Sequence, residues 1–151
     1  MKWKHLVILS VAAVAIIMAC THSTPAFIKF DRNQGRLIQK YSTSDYKGAR
    51  AALHAMLKRI DKIATRPIHG VDLDNERWPV EGRLALMYEH AGDFEKANHY
   101  LNAAVSHYNS TNAHKIDTKG MREMILRLES KTMPKWRWGD QSETAPSEAH
   151  L

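Results

Sequence analysis

Only one side chain of the 151 residues offers a thiol: Cys20 is the sole cysteine. A lone cysteine forms no intramolecular disulfide, so the fold must be held by packing. Nine histidines are present. His90, His99 and His107 fall close together in sequence. His99 and His107 are eight residues apart, slightly more than two helical turns, and cannot chelate one ion as an i,i+4 pair does. They read as surface histidines. The acidic run Asp72-Leu73-Asp74-Asn75-Glu76 fails as a calcium loop. It lacks glycine at its sixth place, and Arg83 stands at the twelfth, where a glutamate is needed. There is no G-x-S-x-G nucleophile elbow and no glycine-rich phosphate loop. Acid and base residues can still converge from distant positions, which keeps open an alternative in which dispersed histidine and acidic residues bind metal or catalyse. Lys135-Trp136-Arg137-Trp138 alternates two cations with two indoles. Tryptophan and arginine dominate binding hot spots and also suit a membrane interface. The segment is either a docking motif or a pair of indoles folded back on the body.

The setting of Cys20 gives it a specific chemistry. Lys2 and Lys4 open the chain, and Leu6 to Met18 is a run of 13 residues without a charge. A membrane span needs about 20 apolar residues. The shorter run has the proportions of a signal-peptide core. It ends Ile17-Met18-Ala19-Cys20, which resembles the lipobox of bacterial lipoproteins. Met18 departs from the small residue usual in that family at −2. The resemblance implies cleavage before Cys20, diacylglycerol on its thiol and a membrane anchor outside the cytoplasm. One acyl chain holds a protein only marginally, whereas two or more hold it firmly. Thr21, in place of an aspartate, implies outer-membrane sorting with the protein facing the periplasm.

The elements behind the anchor read as helices. Gly35-Arg36-Leu37-Ile38-Gln39-Lys40-Tyr41 matches Gly82-Arg83-Leu84-Ala85-Leu86-Met87-Tyr88, 47 residues later. Asp45-Tyr46-Lys47-Gly48-Ala49 then matches Asp93-Phe94-Glu95-Lys96-Ala97. In the second copy, Val80, Leu84, Met87, Tyr88 and Ala91 predict one apolar helical face. Gly92 suits a left-handed helix end and Asp93 an N-cap. Phe94, Ala97, Leu101, Ala104, Val105 and Tyr108 predict the stripe of the next helix. Repeated helix pairs stack because neither buries its apolar face alone. A further helix is expected over 118–131, capped by Asp117 or Thr118, with Met121, Met124, Ile125 and Leu128 inward and Pro134 as its stop.

The second copy resembles the tetratricopeptide repeat, whose recurring residue types fall here on Leu84, Ala85, Tyr88, Gly92, Phe94, Ala97, Leu101 and Ala104. The period departs from the family's ~34 residues. The excess is assigned to a loop over 65–77, with Trp78 opening the next helix and Pro79 in its first turn. The resemblance implies an all-α domain of about two stacked helix-turn-helix hairpins plus a capping helix. It also implies a recognition surface bearing Arg83, Leu86 and Glu89, with Arg36, Gln39 and Ser42 at the matching first-copy positions.

The expected layout is a signal peptide over 1–19, a lipidated tether over 20–26, the helical domain over 27–133, and a Trp/basic segment with a disordered tail over 134–151. Without Lys2 and Lys4 the chain carries 20 basic and 16 acidic side chains, an excess of only four. No basic patch interleaved with aromatics marks a nucleic-acid site. The reading is a non-enzymatic interaction module, without cofactor, that touches the bilayer through Cys20 and an envelope protein or peptide through its helices and Trp136 and Trp138. A self-associating structural lipoprotein is a further alternative.

Overall fold

The computed structural model describes residues 24–138, apart from 67 and 69. The described residues form six helices and no strand: α1 (Thr24–Thr43), α2 (Tyr46–Ala64), α3 (Leu73–His90), α4 (Phe94–Thr111), α5 (Thr118–Thr132) and the short α6 (Lys135–Trp138). α1 pairs with α2 and α3 with α4 as hairpins; α3 also packs on α2. α5 lies across both α3 and α4, and α6 returns to α1 and α2. The all-α class and the helical hairpins expected from the sequence are therefore what is found.

Aspartates set where the helices begin. Asp45 accepts a hydrogen bond from the Gly48 amide at 2.7 Å, Asp93 from Lys96 at 3.1 Å, and Asp117 from Gly120 at 2.8 Å. Each thereby satisfies one of the amides that a helix start leaves without a partner. Asp117, not Thr118, is the cap of α5. Asp117→Ala is expected to lower stability by about 1 kcal/mol in urea unfolding.

The end of α3 is closed by backbone alone. The Asp93 amide donates to the Tyr88 carbonyl and the Gly92 amide to the Glu89 carbonyl. This is a Schellman arrangement, and Gly92 takes the left-handed conformation it requires, with φ of 78°.

Two boundaries differ from the sequence expectation. α1 starts at Thr24, inside the stretch read as tether; Pro25 then stands in the first turn, where its missing amide hydrogen is not needed. α3 starts at Leu73 rather than Trp78. The acidic run is not a loop: Asp72 caps the helix, accepting from the Asp74 and Asn75 amides, while Asp74 and Glu76 fill its first turn, where negative charge meets the helix dipole favourably. Pro79 consequently lies within the helix and not in its first turn.

Two clusters of buried side chains hold the helices together. Tyr41, Ala49, Leu53, Met56, Ile60, Val80, Leu84 and Met87 join α1, α2 and α3. Leu86, Ala104, Met121 and Ile125 join α3, α4 and α5. α3 is central: all nine residues from Val80 to Tyr88 are buried. Its polar residues Glu81 and Arg83 go inside with the apolar ones. At the turn of the second hairpin, Phe94 is 64% exposed and Ala91 is also exposed, against the expectation that both face inward. Tyr46, the first-copy counterpart of Phe94, donates to the Met87 carbonyl at 2.7 Å and packs on Trp136. No later helix gives Phe94 such cover among the described residues.

Candidate functional site

Three groupings of polar side chains concentrate the chemistry of the described residues. The first is buried. Glu129 on α5 is 0% exposed. One of its carboxylate oxygens accepts from the Tyr41 hydroxyl of α1 and the other from Arg83 Nε of α3 at 2.8 Å. The Arg83 guanidinium also sits 5.6 Å from the centre of the Tyr41 ring and reaches the Pro79 carbonyl at 3.4 Å. Burial, and then the Glu129 carboxylate beside it, push the Tyr41 phenol well above its usual range. Three helices distant in sequence are locked by one carboxylate.

The second grouping pairs Glu81 of α3 with His107 of α4, Oε2 to Nδ1 at 2.7 Å. Burial raises the Glu81 carboxyl above its ordinary value, and the His107 hydrogen bond pulls it partly back. A histidine–carboxylate pair is able to hold or relay a proton.

The third is half-open and runs across α2, α3 and α4. Tyr88 and Tyr100 stack with their planes 1° apart and centres 5.5 Å apart. Arg50 lies 5.6 Å from the Tyr46 ring centre and 5.9 Å from that of Tyr88, and Lys96 Nζ is 5.4 Å from the latter. His54 Nε2 is 3.1 Å from the Tyr88 hydroxyl. A cation over an aromatic face is attracted by the ring quadrupole; Lys96 also pairs with Asp93 at 2.6 Å, which leaves Arg50 as the strip's cation outside any salt bridge among the described residues. Burial, and then Arg50, lower the His54 pKa.

Below pH 6.5 the unfolded chain takes up the His54 proton before the folded one does, so stability from this residue is full above that pH and is lost as pH falls. His54→Gln is expected to flatten the fall in urea midpoint between pH 7 and pH 5.

Among the residues proposed from sequence, the structure separates rather than gathers. Cys20 lies outside the described residues. Arg36 is exposed on α1. Arg83 is only 8% exposed and is engaged by Glu129; Leu86 is buried against Met121 and Ile125. Neither lies on an open face, because α5 covers that side of α3. Glu89 is half-buried and holds Arg122 of α5 through both its oxygens, at 2.7 and 3.1 Å. Trp136 takes the folded-back alternative, packed edge-on against Tyr46 at 5.9 Å and His90 at 5.6 Å. Trp138 ends α6, and its side chain lies outside the described residues. The three histidines disperse: His90 meets Trp136, His99 meets Tyr100 and His107 meets Glu81. Among the described residues no three His, Cys, Asp or Glu side chains gather as metal ligands, and no helix is long and apolar enough to cross a membrane.

No protein-family model, curated protein or solved structure matches the chain.

The reading of these groupings therefore rests on their chemistry. Glu129 and Glu81 were not singled out from sequence. One signal was present for the former: Met121, Ile125 and Glu129 are spaced four residues apart, which sets the carboxylate on the buried stripe of α5.

Proposed function

We propose that this chain is a lipoprotein of the bacterial envelope, cut before Cys20 and anchored by lipid, whose tetratricopeptide-like helical domain binds a protein or peptide and catalyses no reaction. The anchor rests on Ile17-Met18-Ala19-Cys20 placed directly after an uncharged run. The recognition role rests on one observation above the others: the half-open strip in which Tyr46, Arg50, Lys96 and Tyr100 gather round the buried Tyr88 ring, while Arg83 is paired inside with Glu129. Aromatic and arginine side chains that are already held in place lose little freedom on binding, which suits them to anchor a partner.

Glu89 and Trp138 remain proposed contact positions. Arg83 and Leu86 act from behind the surface, by setting α3 against α5.

Photo-crosslinkers at Tyr100 and Lys96 in intact cells test the recognition role. One or a few envelope proteins should be recovered with each. Recovery of only random abundant proteins, unchanged by Arg50→Ala, would remove the reading. The anchor is tested separately by the intact mass of the native protein, which should begin at Cys20 and carry acyl chains.

A further inference from the structure

Lys29, Arg32, Arg36 and Lys40 recur on α1 at intervals of three, four and four residues. At ~100° per residue they fall within about 80° of one another around the helix, along ~16 Å of its length. All four are exposed. None of them enters an ion pair among the described residues. The face that α1 buries carries Phe30, Gln34 and Tyr41, well round the helix from the stripe. Asp31 lies on a different flank, close enough to Glu76 of α3 to help raise that carboxyl. The stripe thus contains no acid of its own. Ile28, 48% exposed, flanks it at the end nearest Cys20.

A row of four unpaired cations along one helix fits a surface with many negative charges spread in a plane. Only three residues lie between Cys20 and Thr24, a reach of at most ~14 Å. We infer that α1 lies along the anionic phospholipid headgroups of the bilayer, with Lys29, Arg32, Arg36 and Lys40 as a second membrane contact beside the acyl chains. The placement rests on the lipid-anchor reading, whereas the affinity of the stripe for anionic lipid does not depend on it. Acyl chains and basic residues act together at membranes, the first by burying methylenes and the second by coulombic attraction within a Debye length.

The test uses the full chain carrying Cys20→Ser, which stays unacylated, and vesicles of phosphatidylcholine alone or with about 30% phosphatidylglycerol. Lys2 and Lys4 are changed to Gln in every protein compared, and the apolar run over 6–18 meets both vesicle types alike, so the leader cancels in the comparison. Each cation near an anionic surface is worth roughly five-fold in affinity, and four should give a preference of up to about 600-fold at low salt. That preference should collapse at about 0.5 M salt, where the Debye length is shorter than the helix radius. The variant K29Q/R32Q/R36Q/K40Q should lose it while unfolding at the same temperature. The charge-keeping variant R32K/R36K should retain it. Equal binding to the two vesicle types, as expected if the stripe serves an acidic protein instead, overturns the inference, and so does a preference that survives K29Q/R32Q/R36Q/K40Q. A native protein without acyl chains on Cys20 would instead refute the anchor and leave the vesicle result standing.

Discussion

Glu129→Ala should be among the most damaging single substitutions in this protein, lowering unfolding free energy by about 3–5 kcal/mol. The wild-type carboxylate is fully enclosed and receives both the Tyr41 hydroxyl and the Arg83 guanidinium. Truncating it leaves a buried cation and a buried hydroxyl without their acceptor, in a volume closed to water. The coulombic attraction between Arg83 and Glu129 is not by itself the source of that loss, because removing two charges from water already costs nearly as much as their pairing returns. A second variant separates the two effects. Arg83→Met with Glu129→Leu removes both charges and fills the space with apolar side chains, and it should be far less damaging than Glu129→Ala. Urea unfolding of the three proteins decides the matter. If Glu129→Ala loses less than about 1 kcal/mol, the network does not hold α1, α3 and α5 together as described.

Gly82→Ala should destabilise, while the matching change in the first repeat, Gly35→Ala, should stabilise. Both glycines lie inside helices, where alanine is favoured by roughly 0.5–1 kcal/mol. Gly35 has open space around it, so only that gain applies. A Cβ on residue 82 would instead stand 2.4 Å from both Cγ1 and Cδ1 of Ile125. Either α5 moves outward or Ile125 leaves its rotamer, at a cost of about 1–3 kcal/mol. The net for Gly82→Ala is a loss of up to about 2 kcal/mol. Ile125→Ala, which creates a cavity alone, should partly rescue Gly82→Ala, giving strong non-additivity in a double-mutant cycle. Strict additivity would show that α5 does not rest on Gly82.

The contrast between those glycines also shows how far sequence reasoning reaches. The hairpins were legible because their signals are local: Asp45 and Asp93 at caps, Gly92 at a helix end, and Tyr41, Ala49, Tyr88 and Ala97 at matching buried positions. Apolar periodicity located α5 and two of its inward residues, Met121 and Ile125. The repeat could not reveal that its two copies lie in different surroundings. Gly35 faces solvent where Gly82 meets a helix, and Arg36 is exposed where Arg83 is enclosed. Those differences are imposed by α5, which packs on the second copy from over 30 residues away. The site was less legible for the same reason. Arg83 reads as part of an open recognition surface because its acceptable burial depends on Glu129, and a partner remote in sequence leaves no periodic trace beside it. The strip of Tyr88, Tyr100, Arg50 and Lys96 likewise draws on three helices, and single-helix patterns did not assemble it.

The enclosure of α3 has a consequence for how the chain can be cut or extended. Arrays of helix pairs usually tolerate loss of a terminal unit, since each contacts only its neighbours. Here a central helix carries ionic side chains that become acceptable only when α4 and α5 arrive to receive them. A fragment ending before Asp117 would strand Arg83 and uncover Gly82, Leu86 and Ala104 at once. The domain should therefore melt in a single all-or-none transition, and its hairpins should not be exchangeable as modules.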